Sequence, residues 1–161
     1  MRPLILFLTL PLLALACNGG SQHEATSASD VSPAVQLGRE IGDTYLLLLA
    51  DARAMLELNL PAEQLRPALR MLRDDYRVRL ANLGCLREGL DADDRPQVAR
   101  TADDYVSING GEDTAWLTQA KTRYAPDPEI SALLTGIEGL RIYAFFDQLA
   151  RTHPGETILC N

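Results

Sequence analysis

The chain has 161 residues, and 22 acidic against 15 basic side chains leave a net charge of −7. That balance argues against nucleic acid and anionic lipid surfaces as partners, because both select cationic patches. Apolar residues reach 47% while aromatics stay at 6%, a leucine- and alanine-rich mixture that favours helices and suffices for one core.

The chain opens with Arg2 and an almost wholly apolar run, Pro3 to Leu15, that ends at Ala16 before Cys17. At about fourteen residues the run falls short of the roughly twenty needed to span a bilayer. A basic start, an apolar centre and small residues at Ala14 and Ala16 form a secretory signal over residues 1–16. The segment Ala14-Leu15-Ala16-Cys17 resembles the lipobox of bacterial lipoproteins. The resemblance implies cleavage before Cys17, acylation of Cys17 (a palmitate-bearing lipid anchor) and, with Asn18 next, residence at the periplasmic face of an outer membrane. The first position departs from the usual leucine, so ordinary cleavage at Ala-x-Ala is the alternative. Residues 17–31 are small and polar, rich in Gly and Ser, and read as the acylated cysteine followed by a flexible tether.

The remainder, residues 32–161, is expected to be one helical domain. Ser32-Pro33 supplies an N-cap and a proline at the first helical position. Leu37, Ile41, Tyr45, Leu48, Ala52, Met55 and Leu56 then repeat at helical spacing, to a stop near Leu58. A second helix is predicted from about Ala62 to Arg87, with Pro67 forcing a kink or restart. Its core face is Leu65, Leu69, Leu72, Tyr76, Leu80, Leu83 and Leu86, flanked by Arg66, Arg70, Arg73 and Arg77. Those arginines read as flanking groups that lay their stems over apolar surface and pair with nearby carboxylates.

The acidic stretch Asp91 to Asp94 lacks the glycine and the terminal bidentate acid of a calcium loop, and is expected to cap a third helix over about Arg95 to Ile108. Asn109-Gly110-Gly111 ends that helix with two residues free to take positive φ. A shorter helix follows, capped by Glu112-Asp113-Thr114, carrying Trp116, Leu117 and Ala120 to about Tyr124. Asp127-Pro128-Glu129 opens the last helix, predicted to continue to about Thr152 with Ile130, Leu133, Leu134, Ile137, Leu140, Ala144, Phe145 and Leu149 inward. No alternating strand pattern competes. The fold class is all-α: an up-down four-helix-bundle-like domain with an extra short helix.

With Cys17 consumed by acylation, Cys85 and Cys160 are expected to pair in an oxidising compartment. In the expected topology both lie at one pole of the bundle.

No run of the form G-x-S-x-G, H-E-x-x-H, S-x-x-K or C-x-x-C-H occurs. His153 and Met55 fall at opposite poles, too far apart for a haem pair, and zinc lacks ligands. Adjacent acids, Asp74-Asp75 and Asp103-Asp104, diverge around a helix. The expectation is therefore a protein without catalysis, cofactor or metal, acting in the envelope by binding a protein partner. One form is an inhibitor or immunity-like lipoprotein facing a basic enzyme. Its contact loop is Ser107 to Asp113, with Tyr105, Asn109, Gly110, Gly111, Glu112, Asp113 and Trp116 as candidates. The alternative is an assembly factor of an outer-membrane complex. In size, anchor, helical content and single disulfide the chain is similar to secretin pilotins, which implies an apolar groove for a partner helix. Leu46, Leu47, Leu49, Tyr143 and Phe146 are the candidates to line it, and a carrier of an apolar small ligand would use the same groove.

Overall fold

The computed structural model describes residues 31–110, 115–144, 146–152 and 160, with the side chains of Ala144, Phe146, Asp147 and Ala150 outside that description. The compact unit begins at Val31. Among the described residues the architecture is all-helical, with no strand: α1 (Pro33–Glu57), α2 (Ala62–Glu88), α3 (Arg95–Asn109), α4 (Ala115–Arg123), α5 (Pro128–Gly139), a 3₁₀ turn (Leu140–Ala144) and α6 (Phe146–Thr152). Helices α1, α2, α3 and α5 form the up-down bundle; α1 lies against both α3 and α2, and α2 against α5. The run of α5 beside α2 is fixed by Arg66 meeting Asp127 at one end and by Gly136 lying against Arg73 further along.

Local chemistry sets the two best-marked starts. Ser32 Oγ accepts from the Val35 amide at 3.3 Å, and the Asp127 carboxylate accepts from the amides of Glu129 and Ile130 at 3.2 and 3.1 Å. Helix α1 ends where Asn59 adopts φ +50°, a left-handed conformation that asparagine tolerates better than most residues. Asp94 stands at the N-cap of α3 without a side-chain bond to it. The acidic stretch thus stands at the start of the helix as expected, facing its dipole without a side-chain capping hydrogen bond. The Arg95 guanidinium folds back onto the Leu90 and Glu88 carbonyls at 3.1 and 2.8 Å.

The core joins Ile41, Leu48, Leu49 and Ala52 of α1 with Leu65, Leu69 and Leu80 of α2, Val98 and Ala102 of α3, and Ile130, Leu134 and Ile137 of α5. Three expectations need correction. First, of the kink or restart expected at Pro67, the restart does not occur, and α2 is one continuous helix. Pro67 is exposed and lies between the buried Leu65 and Leu69, so the helix is anchored on both sides and the carbonyl that loses its donor can be solvated. Second, at the end of α2 it is Arg87 that is buried, at 2% exposure, while Leu86 is 61% exposed. Arg87 lies four residues after Leu83 and seven after Leu80, which puts it on the core face; its charge meets Glu88 Oε1 at 2.6 Å. Third, the last helix is interrupted by the 3₁₀ turn. The turn places Leu140 and Tyr143, three residues apart, on one side, where both are buried.

Close approach of α1 and α3 depends on two glycines. A Cβ on Gly38 would lie 2.6 Å from Thr101 Cβ and 2.7 Å from the Val98 carbonyl oxygen, and one on Gly42 would lie 2.9 Å from the Tyr105 ring. Gly110, at φ −107°, is also needed for space: a Cβ there would meet Leu46 Cδ2 at 2.7 Å. The expected positive φ is absent at Gly110, and Gly111 lies outside the described residues.

Cys85 in the last turn of α2 is bonded to Cys160, with Cα atoms 5.1 Å apart across 75 residues of sequence. The pairing expected from the sequence is the one present, at the pole where α1 begins and α2 ends.

Candidate functional site

Helix α1 has 25 residues and α3 has 15. Because α3 packs on the first half of α1 and then stops, the second half of α1 is left uncovered on that side. Helix α4 stands across the gap. It is held by Lys121 pairing with Glu138 of α5 and by Arg123 donating to Asn59 Oδ1 at 3.1 Å. Leu117 and Ala120 turn into the core, while Trp116 is half-buried against it.

The result is a groove between α1 and α4, formed by two cavities of about 380 and 370 Å³ that share Arg53, Glu57 and Trp116. The first is floored by Leu46, Leu49, Ala50 and Ala54 and closed by Asn109. The second continues past Leu56 to Asn59, Gln119, Arg123 and Tyr124. Arg53 Nε donates to Glu57 Oε1 at 3.1 Å across the middle. Arg123 lies 5.3 Å from the centre of the Tyr124 ring.

Two sets of candidates that the sequence offered as alternatives thus converge in part. Leu46 and Leu49 from the groove set, and Asn109 and Trp116 from the loop set, line one cavity. Gly110 is buried under Leu46 at its edge. The others do not join them. Tyr105 is turned toward the start of α1, donating to Asp43 Oδ1 at 3.3 Å. Leu47 is 55% exposed outside the groove, and Tyr143 is core at 2% exposure. Gly111, Glu112 and Asp113 lie outside the described residues, as do Cys17, His153 and the Phe146 side chain. Ala50, Arg53, Ala54 and Arg123 were missed, although the unequal lengths expected for the first and third helices marked the uncovered stretch.

The arginine row on α2 is a set of inter-helix and surface pairs. Arg66 reaches Asp127 at 2.7 Å, Arg70 pairs with Glu129, and Arg73 reaches Asp74 at 2.7 Å. The Arg66 guanidinium, and then the Ile130 amide, hold the Asp127 carboxyl below the usual carboxylate range. Burial pushes the Tyr45 phenol up to about 12; burial and a 2.6 Å bond to Asp51 do the same for Tyr76.

Between α1, α2, α3 and the 3₁₀ turn, a cavity lined by Ile41, Tyr45, Leu80, Val106, Leu140 and the surface pair Asp103–Arg141 measures only about 10 Å³. Among the described residues no group of three or more His, Cys, Asp or Glu could hold a metal ion, and no helix is long and apolar enough to cross a membrane. No protein-family model matches the chain, and no curated protein or solved structure shows significant similarity to it.

Proposed function

We propose that the protein is a non-catalytic cell-envelope lipoprotein, anchored through Cys17, that binds a protein partner in the α1–α4 groove. The observation that carries the reading is the groove itself: a leucine and alanine floor, a half-buried tryptophan wall and a polar rim. Interface energy concentrates at such aromatic anchors. Of the two protein-binding forms, the groove favours the assembly factor, which receives a segment of its partner between helices. A carrier of apolar small molecules has less support. Ligand sites usually occupy several hundred cubic ångströms of enclosed space, whereas the α1–α4 groove is open to solvent along its length.

The test is affinity capture from an envelope extract with the intact protein, Ala54→Glu and Trp116→Ala. Ala54 is exposed, so its variant should melt like the wild type while binding at least about 1 kcal/mol more weakly. Capture indifferent to both substitutions would remove the groove from the reading. The anchor is tested separately: Cys17→Ser should move the protein from the membrane to the soluble fraction, and retention at the membrane would overturn the lipoprotein assignment.

A further inference from the structure

We infer that the occupant of the groove is an amphipathic helix of about three turns that continues the line of α3 along α1 and brings a carboxylate to Arg123. This rests on the protein-binding reading above and specifies what binds. Helix α3 seats on α1 through residues four apart: Gly38 against Thr101, Gly42 against Tyr105, and Leu46 against Gly110. Packing along such a row is the ordinary way one helix receives another. The same row continues to Ala50 and Ala54 beyond the end of α3, where both are exposed and floor the groove. The helix-receiving surface is therefore filled over its first half and open over its second, continuous with an interface already in use.

Dimensions and charge narrow the occupant. From Leu46 to Glu57 the floor extends about 17 Å, close to three helical turns. Strand addition has no edge to use among the described residues, since the flanking elements are helices. An acyl chain would have to strip water from the exposed Arg53–Glu57 pair that crosses the floor. Arg53 is balanced by Glu57. Arg123, by contrast, meets among the described residues only the Asn59 amide and the Tyr124 ring. The groove therefore carries an unbalanced cation at its Tyr124 end, where an acidic residue of the incoming helix completes the match.

A displayed library of peptides about fourteen residues long, selected against the intact protein, tests this directly, with emission from Trp116, the single tryptophan, as the binding signal. Enriched sequences should carry apolar residues at i, i+3 or i+4, and i+7, with Asp or Glu at one end. Exchanging that acid for lysine should weaken binding by roughly three- to fivefold, the size of an exposed ion pair. Arg123→Glu should reverse the preference, and Arg123→Gln should erase it. Peptides without helical spacing, no enrichment, or a charge preference unmoved by both Arg123 variants would overturn the inference. If capture of a protein still depends on Ala54 in that case, partner binding stands and only the helix is wrong. If a fatty acid shifts Trp116 emission and abolishes capture, the groove is a lipid site and both readings fall.

Discussion

Gly38 and Gly139 occupy opposite kinds of helical position. Replacing either by alanine gains up to about 1 kcal/mol in helix propensity. At Gly139 nothing lies within 4 Å of the added methyl, so that gain is realised and stability should rise by about 0.5–1 kcal/mol. At Gly38 the methyl meets the Val98 carbonyl, which cannot turn aside as a flexible side chain could. Overpacking of this kind costs about 1–3 kcal/mol, so Gly38→Ala should be net destabilising. Urea unfolding of the two variants should give midpoint shifts of opposite sign, and equal shifts would contradict the close approach of α1 and α3. Trp116 belongs to the same scale. Its contact with the core means Trp116→Ala lowers the melting temperature somewhat, which is why Ala54→Glu is the cleaner probe of binding.

Polar ties between elements make stability depend on pH at both ends of the scale. Asp127 joins α5 to α2 through Arg66, and its carboxyl titrates below the usual value. A depressed carboxylate contributes above its unfolded value, near 3.9, and the contribution is lost as pH falls through the folded value. Tyr45 donates to the Glu138 carbonyl, joining α1 to α5, and Tyr76 donates to Asp51, joining α2 to α1. Both phenols are raised to about 12, so their contribution is complete below pH 10 and lost between about 10 and 12. Melting temperature against pH should therefore fall at both ends, with Asp127→Asn flattening the acid limb and Tyr76→Phe the alkaline one. Unchanged limbs in these variants would assign the pH dependence elsewhere. Helix starts were legible in the sequence because Ser32-Pro33 and Asp127-Pro128 act locally. Continuity through Pro67 and the break after Gly139 were not, since both depend on which neighbours anchor the chain on either side. The burial of Arg87 in place of Leu86 turned on a helical phase difference of one residue. Leu46, Leu49, Asn109 and Trp116 could be read as candidate residues, but the groove is a gap left by a short helix, visible only when the lengths of α1 and α3 are set side by side.

On the scale of the whole molecule, the Cys85–Cys160 bond closes a loop of 75 residues and ties the far end of the chain to the end of α2. In the chain-entropy model a loop of that length contributes about 4 kcal/mol. The double change Cys85→Ser/Cys160→Ser should lower the unfolding free energy by about 2–5 kcal/mol, measured in urea without reductant. A variant as stable as the wild type would show that the bond does not constrain the unfolded chain. The bond lies at the pole where α1 begins and residues 17–31 join, whereas the groove lies over the second half of α1, about 20 Å further along the helix. The disulfide and the groove therefore lie toward opposite ends of α1.

The position of the second cysteine also sets an order of events. Cys160 follows all the described helices, so in a chain threaded across a membrane from its amino end Cys85 would arrive long before its partner. The bundle helices can meet while that thiol is still waiting. In that order, oxidation would follow the packing of the bundle. If Cys17 is acylated as proposed, Cys85 and Cys160 are the two thiols of this sequence left to pair.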